Sequence, residues 1–364
     1  MISSSRLLFS RFTTINSTNL ITVRHVKFST ILNLKLQSNK MSQKAQKKVA
    51  LIHAKFSRGQ GKPGTELGPN YLKNKFLVSN LENLNHPAVD YADLEEDVPA
   101  HEEVHYNHNR NLLSTSRINQ KLSKAVQNAI SEGHVPVLLG GDHSLAIGSV
   151  HGTANAFSQI GLIWVDAHAD MNTPLTSSSG NLHGQPLSFL LYELDKYLPK
   201  LEQFDWLRPC LSARNLVYIG LRDLDPEETI LIEKYKIKAF SMSDVHRLGI
   251  HQVMKETFEH LTVNGELLPL HVSVDIDSLD PWYAPATGTP VLGGLSLPEL
   301  MFIGNRVHET GKLRTLDLVE VNPLLKTSDS DVDKTVFSAS RAILSFFGYK
   351  TLGTLIDGHQ VPRP

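Results

Sequence analysis

The chain has 364 residues, room for one large domain or two smaller ones at roughly 150 residues each. Its 41% hydrophobic and 20% charged residues suit a globular protein with a sizeable core, and a formal net charge of −1 argues against a surface built to neutralise nucleic-acid phosphate. No apolar run reaches about 18 residues, so no membrane insertion is expected, and the single cysteine, Cys210, excludes an intrachain disulfide framework or a cysteine-clustered zinc site.

The near-neutral total hides an asymmetry at the start of the chain. Arg6, Arg11, Arg24, Lys27, Lys35 and Lys40 fall within residues 1–40 without a single acidic residue, and the first carboxylate is Glu66. Without those six cations, 30 Lys and Arg face 37 Asp and Glu, a net of −7. A basic, hydroxylated, acid-free opening with apolar residues such as Leu7, Leu8, Phe9 and Phe12 has the composition of a mitochondrial transit peptide. Residues 1–45 are therefore expected to be a targeting segment and 46–364 the catalytic domain. Met41 offers a second start that would give a cytosolic form.

From residue 48 the pattern alternates. Short apolar or β-branched runs predict strands at Val49–Ala54, Val135–Leu139, Leu162–Val165, Leu216–Ile219, Leu270–Val274 and Leu313–Val319. Apolar residues at helical spacing predict helices at Leu112–Ile130, Leu145–Phe157, Pro226–Tyr235, Gln252–Leu261, Pro298–Val307 and Thr335–Phe347. Two stretches, Phe56–Gly64 and Thr173–Gly180, read as Gly-rich or Ser/Thr-rich loops, and no internal repeat is visible. Alternation of this kind without a linker predicts one α/β domain with a central, mainly parallel sheet flanked by helices. In such sheets ligands bind beyond the carboxyl ends of the strands, and the unusual residues fall there.

Three clusters stand at those ends. Gly140-Gly141-Asp142-His143-Ser144 follows one strand, with two glycines allowing a sharp turn that presents His143. Asp166-Ala167-His168-Ala169-Asp170 follows another, and Asp275-Ile276-Asp277 a third. In extended chain, residues two apart point the same way, so each cluster is expected to aim its ionisable groups to one side. Like charges this close repel unless something positive lies between them. Four aspartates balance two divalent cations, and six protein ligands for two ions require that one or two aspartates be shared. Carboxylates with some imidazole suit a hard to borderline ion such as Mn²⁺, and two such ions about 3.5–4 Å apart would lower the pKa of a water held between them. By contrast, His101, His105 and His108 lie in the strongly polar stretch Glu95–His108 and are expected in a solvated loop. His53, His134, His151, His246 and His271 read as structural.

These three motifs resemble the signatures of the ureohydrolases, binuclear manganese enzymes that hydrolyse guanidino groups, and within them the chain is most similar to the arginases. The likeness runs from about residue 48 to about 350. It is most specific at Asn172-Thr173-Pro174 and Ser177-Ser178-Ser179-Gly180-Asn181-Leu182-His183-Gly184. It extends to Gly220-Leu221-Arg222-Asp223-Leu224-Asp225-Pro226, Ala286-Thr287-Gly288-Thr289-Pro290 and Glu320-Val321-Asn322-Pro323.

The resemblance implies hydrolysis of L-arginine to L-ornithine and urea, with agmatine or another guanidino compound as the alternative substrate. It implies two Mn²⁺ per subunit, one held by His143, Asp166, Asp170 and Asp275, the other by Asp166, His168, Asp275 and Asp277. It makes Asp170 the group that accepts the nucleophile's proton and passes it to the leaving amine, sets Glu320 against the substrate guanidinium, and makes His183 a neutral imidazole near pH 7 that shuttles protons to bulk water. Asn172, Ser179 and Asp225 would bind the amino-acid end of the substrate, with Thr289 near the chemistry. It also implies a homotrimer or homohexamer, although the tail after Phe347 matches little of the family. Residues 1–45 fused to a fluorescent reporter are expected to direct it to mitochondria; a diffuse cytosolic signal would remove the targeting assignment.

Overall fold

The computed structural model describes residues 48–351; the expected targeting segment 1–45 and most of the C-terminal tail lie outside them. Ten strands form: β1 (Val49–Lys55), β2 (Ala88–Glu95), β3 (Val135–Leu139), β4 (Gly161–Val165), β5 (Leu216–Leu221), β6 (Lys238–Ser241), β7 (Thr262–Val263), β8 (Glu266–Leu267), β9 (Leu270–Asp275) and β10 (Leu313–Val319). Eight make one sheet in the order β2-β1-β3-β10-β9-β4-β5-β6, with every pairing parallel. β7 and β8 form a small antiparallel hairpin apart from it.

The principal helices are α1 (Leu112–Ser131), α2 (Ala146–Ala156), α3 (Pro226–Tyr235), α4 (Ile250–His260), α5 (Leu297–Thr310) and α6 (Asp329–Ser345). Their starts are chemically marked. Ser296 and Glu299 form a capping box at α5 with Pro298 in its first turn, and Asp225 and Glu228 do the same at α3 around Pro226. Helix α6 begins six residues before its expected start because Ser328 and Asp331 cap it, extending a helix through a polar stretch with no apolar periodicity.

The sheet is buried on both faces, as a parallel sheet must be. Ile163 and Val165 of β4 join one core cluster while Leu162 and Trp164 join the opposite one, the period-2 alternation of a strand. Val137 and Leu139 face one way and Leu138 the other. Besides the β7–β8 hairpin, two strands were not expected, β2 and β6, and they lie at the sheet's edges. β2 mixes half-buried and exposed residues, and β6 is only four residues long. Neither carries the continuous apolar run that marks a central strand.

Because all eight strands point the same way, their carboxyl ends share one edge of the sheet. His143 follows β3, Glu320 follows β10, Asp275 ends β9, Asp166 follows β4, and Asp223 and Asp225 follow β5. Those five strands are consecutive neighbours in the sheet.

The turn out of β3 is sterically closed. A Cβ on Gly141 would lie 1.8 Å from the Phe56 carbonyl oxygen, where the backbone of the Phe56–Gly64 loop crosses. Gly141→Ala is therefore expected to lower stability by about 3 kcal/mol, since backbone on both sides must move. Gly184→Ala, which has open space, should stay within about 0.5 kcal/mol of the parent. Equal denaturant midpoints for the two variants would contradict this.

Candidate active site

The three clusters converge, but not by the extended geometry expected of them. β4 ends at Val165, and residues 166–168 form a bend. Asp170 then adopts φ 49°, and its carbonyl accepts from Leu187 N at 3.1 Å. Ile276–Ser278 is a single 3₁₀ turn capped by Asp275. Bends bring the aspartates together because backbone N–H groups are spent on them. His168 N donates to Asp166 Oδ1 (2.8 Å) and Asp277 N to Asp275 Oδ1 (2.8 Å).

His143 is fully buried at the centre. Its Nδ1 lies 3.1 Å from Asp166 Oδ2, 3.0 Å from Asp170 Oδ2 and 3.3 Å from Asp275 Oδ2. Its Nε2 contacts Ser273 Oγ at 2.9 Å, and that hydroxyl in turn contacts Asp317. With Nε2–H given to Ser273, the neutral ring turns a bare lone pair towards three carboxylates, and no hydrogen-bond donor meets it. His168 Nδ1 lies 3.4 Å from Asp166 Oδ1 and 3.3 Å from Asp277 Oδ2. Two groups of metal-ligand type result, His143 with Asp166 and Asp170, and Asp166 with His168 and Asp277. Asp166 belongs to both, as the count of charges and ligands required. The donor set fits a pair of divalent cations: oxygen-rich, net negative, and with one imidazole lone pair that only a cation or an extra proton can satisfy.

The electrostatics say the same. Burial works against ionisation of all four aspartates, yet Asp166, facing both imidazoles, is pulled below the ordinary carboxylate range. Burial and the Asp166 charge raise Asp170 to about 6. Burial, then Asp277 and Asp166, push Asp275 well up. Burial would lower His168, but its hydrogen bonds to Asp166 and Asp277 carry it to about 12. Such a cluster gathers positive charge wherever it can.

A cavity opens on this centre, lined by His168, Asp170, Asp275, His183, Thr289 and, further out, Asn172, Asp223, Asp225 and Glu228. Thr289 Oγ1 donates to Asp277 Oδ2 at 2.8 Å. Asn172 Nδ2 donates to Asp225 Oδ2 at 2.8 Å, so these two recognition candidates meet. Ser179 does not join them: it is exposed, is not among the lining residues, and its hydroxyl accepts from Asn181 N.

Glu320 also departs from its expected place against a substrate. It is 1% exposed and sits behind His183, not on the cavity wall. It accepts from His143 N (2.9 Å), Gln60 Nε2 (2.7 Å) and His183 Nδ1 (3.2 Å). This overturns the neutral His183. Burial alone would lower the imidazole, but the Glu320 hydrogen bond and charge lift it to about 9, so at neutral pH it is an imidazolium.

The polar stretch around Glu95–His108 is more than solvated loop. Arg58 donates to Val98 O, Asp97 and Glu103, and both Val98 and the Glu103 side chain are buried. Burial pushes the Cys210 thiol up to about 12, which disfavours the thiolate at neutral pH.

Several contributors were not singled out from the sequence. Trp164 stacks on His143 with centroids 4.1 Å apart, and its Nε1 donates to Asp166 Oδ2. Arg222 donates to the carbonyls of Gly220, Asp277, Ser278, Leu279 and Val291, tying the end of β5 to the Asp277 turn. Glu228, raised to about 7 by burial, accepts from Met171 N and Asp225 N. Its position three residues after a helix-capping Asp was the available clue.

The family model for the arginase family matches residues 47–348. The chain belongs to the arginase family. It is 45% identical over 331 residues to a human protein named "Arginase-2, mitochondrial", covering 91% of this chain and 93% of that one. It is 46% identical over 309 residues to rabbit (Oryctolagus cuniculus) arginase-1, covering 85% and 95%. The crystal structure of arginase from Bacillus caldovelox superposes with a TM-score of 0.75 at 34% identity, covering 84% of this chain and 100% of that one.

In this arginase-family chain, the His183–Glu320 pair makes a sign-definite prediction. The pair stabilises the fold fully below the ordinary imidazole pKa of about 6.5, and that stability is lost as pH rises through about 9. Glu320→Gln removes the largest lifting charge and leaves the burial, so His183 should titrate well below the parent's value of about 9 when followed by NMR, with the charges of Asp170 and Asp142 still opposing the fall. A titration left near the parent value would remove Glu320 as the cause.

Proposed function

We propose that the protein hydrolyses L-arginine to L-ornithine and urea, using two divalent cations for which manganese is the best match to the ligand set. The observation that carries this reading is the buried His143 Nδ1, without a hydrogen-bond donor and within 3.3 Å of three carboxylates, beside a second cluster that shares Asp166. His143, Asp166, Asp170 and Asp275 would hold one ion and Asp166, His168, Asp275 and Asp277 the other. Such a pair supplies an ionised water near neutral pH and polarises the group under attack.

The chain's own groups handle the protons and the substrate. Asp170, beside the water, would accept the proton it gives up. His183, kept as the imidazolium by Glu320, gives one to the departing amine from the cavity wall. Glu320 adds negative charge behind the guanidinium. Asp223, Asp225 and Glu228 make the outer cavity acidic, which suits the α-ammonium end of a cationic amino acid. Asn172 orients Asp225 and is the amide best placed near the amino-acid end. The mitochondrial names of relatives and the acid-free opening support import into mitochondria, and assembly as a homotrimer or homohexamer follows the family resemblance.

The test is urea release by full-length, Mn²⁺-loaded protein from L-arginine and from agmatine, which lacks only the carboxylate. Polar groups left unpaired by agmatine should lower its kcat/KM by about 10³-fold or more. Comparable rates on both would sink the substrate assignment and leave the metal centre standing. In parallel, Asp166→Asn should lose both metals by elemental analysis, whereas His143→Ala should mainly weaken one site. Parent-like stoichiometry in Asp166→Asn would refute the shared ligand.

A further inference from the structure

Residues 172–185 carry Asn172 at one end and His183 near the other, and most of their internal hydrogen bonds close short turns at residues 172–177 and 177–181 without joining the two ends. Asn172 N donates to Gly184 O at 3.2 Å, and one turn at Thr173–Ser177 closes on itself. Much of what fixes this loop comes from a segment more than 60 residues earlier. Asn109 is fully buried, with no exposed surface at all. Its Nδ2 donates to Pro174 O at 2.8 Å and to Tyr106 O at 3.1 Å, and its Oδ1 accepts from Gln185 Nε2 at 2.7 Å. Gln185 Nε2 reaches Asn181 O as well, at 3.0 Å. One amide thus grips both ends of the loop.

The fit leaves no slack. Gly180 has φ +69°, and a Cβ there would lie 1.9 Å from His108 O and 2.8 Å from Asn109 N, so the loop backbone rests directly on the backbone of residues 108 and 109. Asn109 is itself held. It forms a two-bond backbone bridge with Tyr106, and Leu112 N donates to Val104 O where α1 begins. Asn111 Nδ2 donates to Arg58 O, next to Gly59, whose carbonyl accepts from His183 N at 2.9 Å.

We propose that Asn109 is a positioning residue for substrate recognition: it braces the loop that follows Asn172, gripping it at Pro174 and Gln185, without touching substrate. This rests on the reading that the loop binds the amino-acid end of L-arginine. It also separates two functions of one loop. His183 has two anchors outside the loop, its N on Gly59 O and its Nδ1 on Glu320, whereas the Asn172 side chain has one, Asp225, its other partner Thr176 lying within the loop, so loosening Asn109 should disturb recognition more than proton transfer.

Asn109→Asp tests this with almost no change in shape. It keeps an acceptor for Gln185 and turns the two-carbonyl donor into a carboxylate oxygen facing Pro174 O and Tyr106 O. Asn109→Ala removes all three contacts without adding charge, and serves if the aspartate variant fails to fold. Hydrogen–deuterium exchange on the full-length, Mn²⁺-loaded protein should quicken about tenfold or more in peptides covering residues 172–185. Peptides covering 161–168 and 270–277 should keep the parent rate. KM for L-arginine should rise about tenfold while kcat changes less than about threefold.

Exchange that is unchanged, or faster in all peptides alike, would overturn the positioning role. Faster local exchange with an unchanged KM would overturn its link to recognition. Parent protein that releases no urea from L-arginine fails the functional reading itself, and the exchange data would still judge the anchor.

Discussion

Four carboxylates buried around two imidazoles are the constraint around which this molecule is arranged. Asp166, Asp170, Asp275 and Asp277 cannot all be charged in an apolar interior without compensation. A parallel sheet is what brings them together, because it delivers several strand ends to one edge from distant parts of the sequence. β3, β10, β9, β4 and β5 lie side by side and contribute one functional element each. An antiparallel sheet of the same strands would scatter those ends over two edges.

Compensation is built in layers. The nearest layer is local: backbone N–H groups of residues 168 and 277, the indole of Trp164 and the Thr289 hydroxyl each donate to one of the aspartates. Behind it, Ser273 holds His143 by Nε2 so that Nδ1 faces inward, the tautomer a metal ligand needs. Arg222 acts on the backbone instead, gripping carbonyls from two segments and holding the Asp277 turn in place. Strain appears where it serves. Asp170 and Glu320 both adopt positive φ, which costs of order 1 kcal/mol or more for a residue other than glycine. Each needs its side chain turned back towards the site instead of continuing along the strand.

The sheet's central strands were legible from the sequence because they are buried on both faces and read as continuous apolar runs. β2 and β6 were not, since edge strands mix polar and apolar residues much as loops do. The ligand-type residues were legible because Asp and His at strand ends have few reasons to be buried together. Their geometry was not: alternation in extended chain suggested convergence for the wrong reason, and the 3₁₀ turn at Ile276–Ser278 and the αL turn at Asp170 do the work. Glu320 shows another limit. A sequence motif can point to a residue, but only packing reveals that His183, Gln60 and the His143 backbone already occupy its carboxylate. Asn109 lay just past the polar run Glu95–His108, and nothing about an asparagine in such company announces that it is fully buried.

The site therefore divides by the kind of support each part receives. The inner part stands on strand ends and on 3₁₀ turns locked by backbone donors, and its chemistry is directed at a guanidinium or a similar planar cation. The outer part stands on loops, each held by another loop: residues 172–185 by Asn109 and Gly59, and residues 56–64 by Asp142 and Glu320. The local unfolding free energy of such loops is lower than that of the sheet, because fewer apolar contacts hold them. The hydrolytic centre and the choice of substrate tail are thus separable in energy. A change in how the loops brace one another can reshape the outer cavity, while the four aspartates and two imidazoles stay where the strand ends and their turns put them.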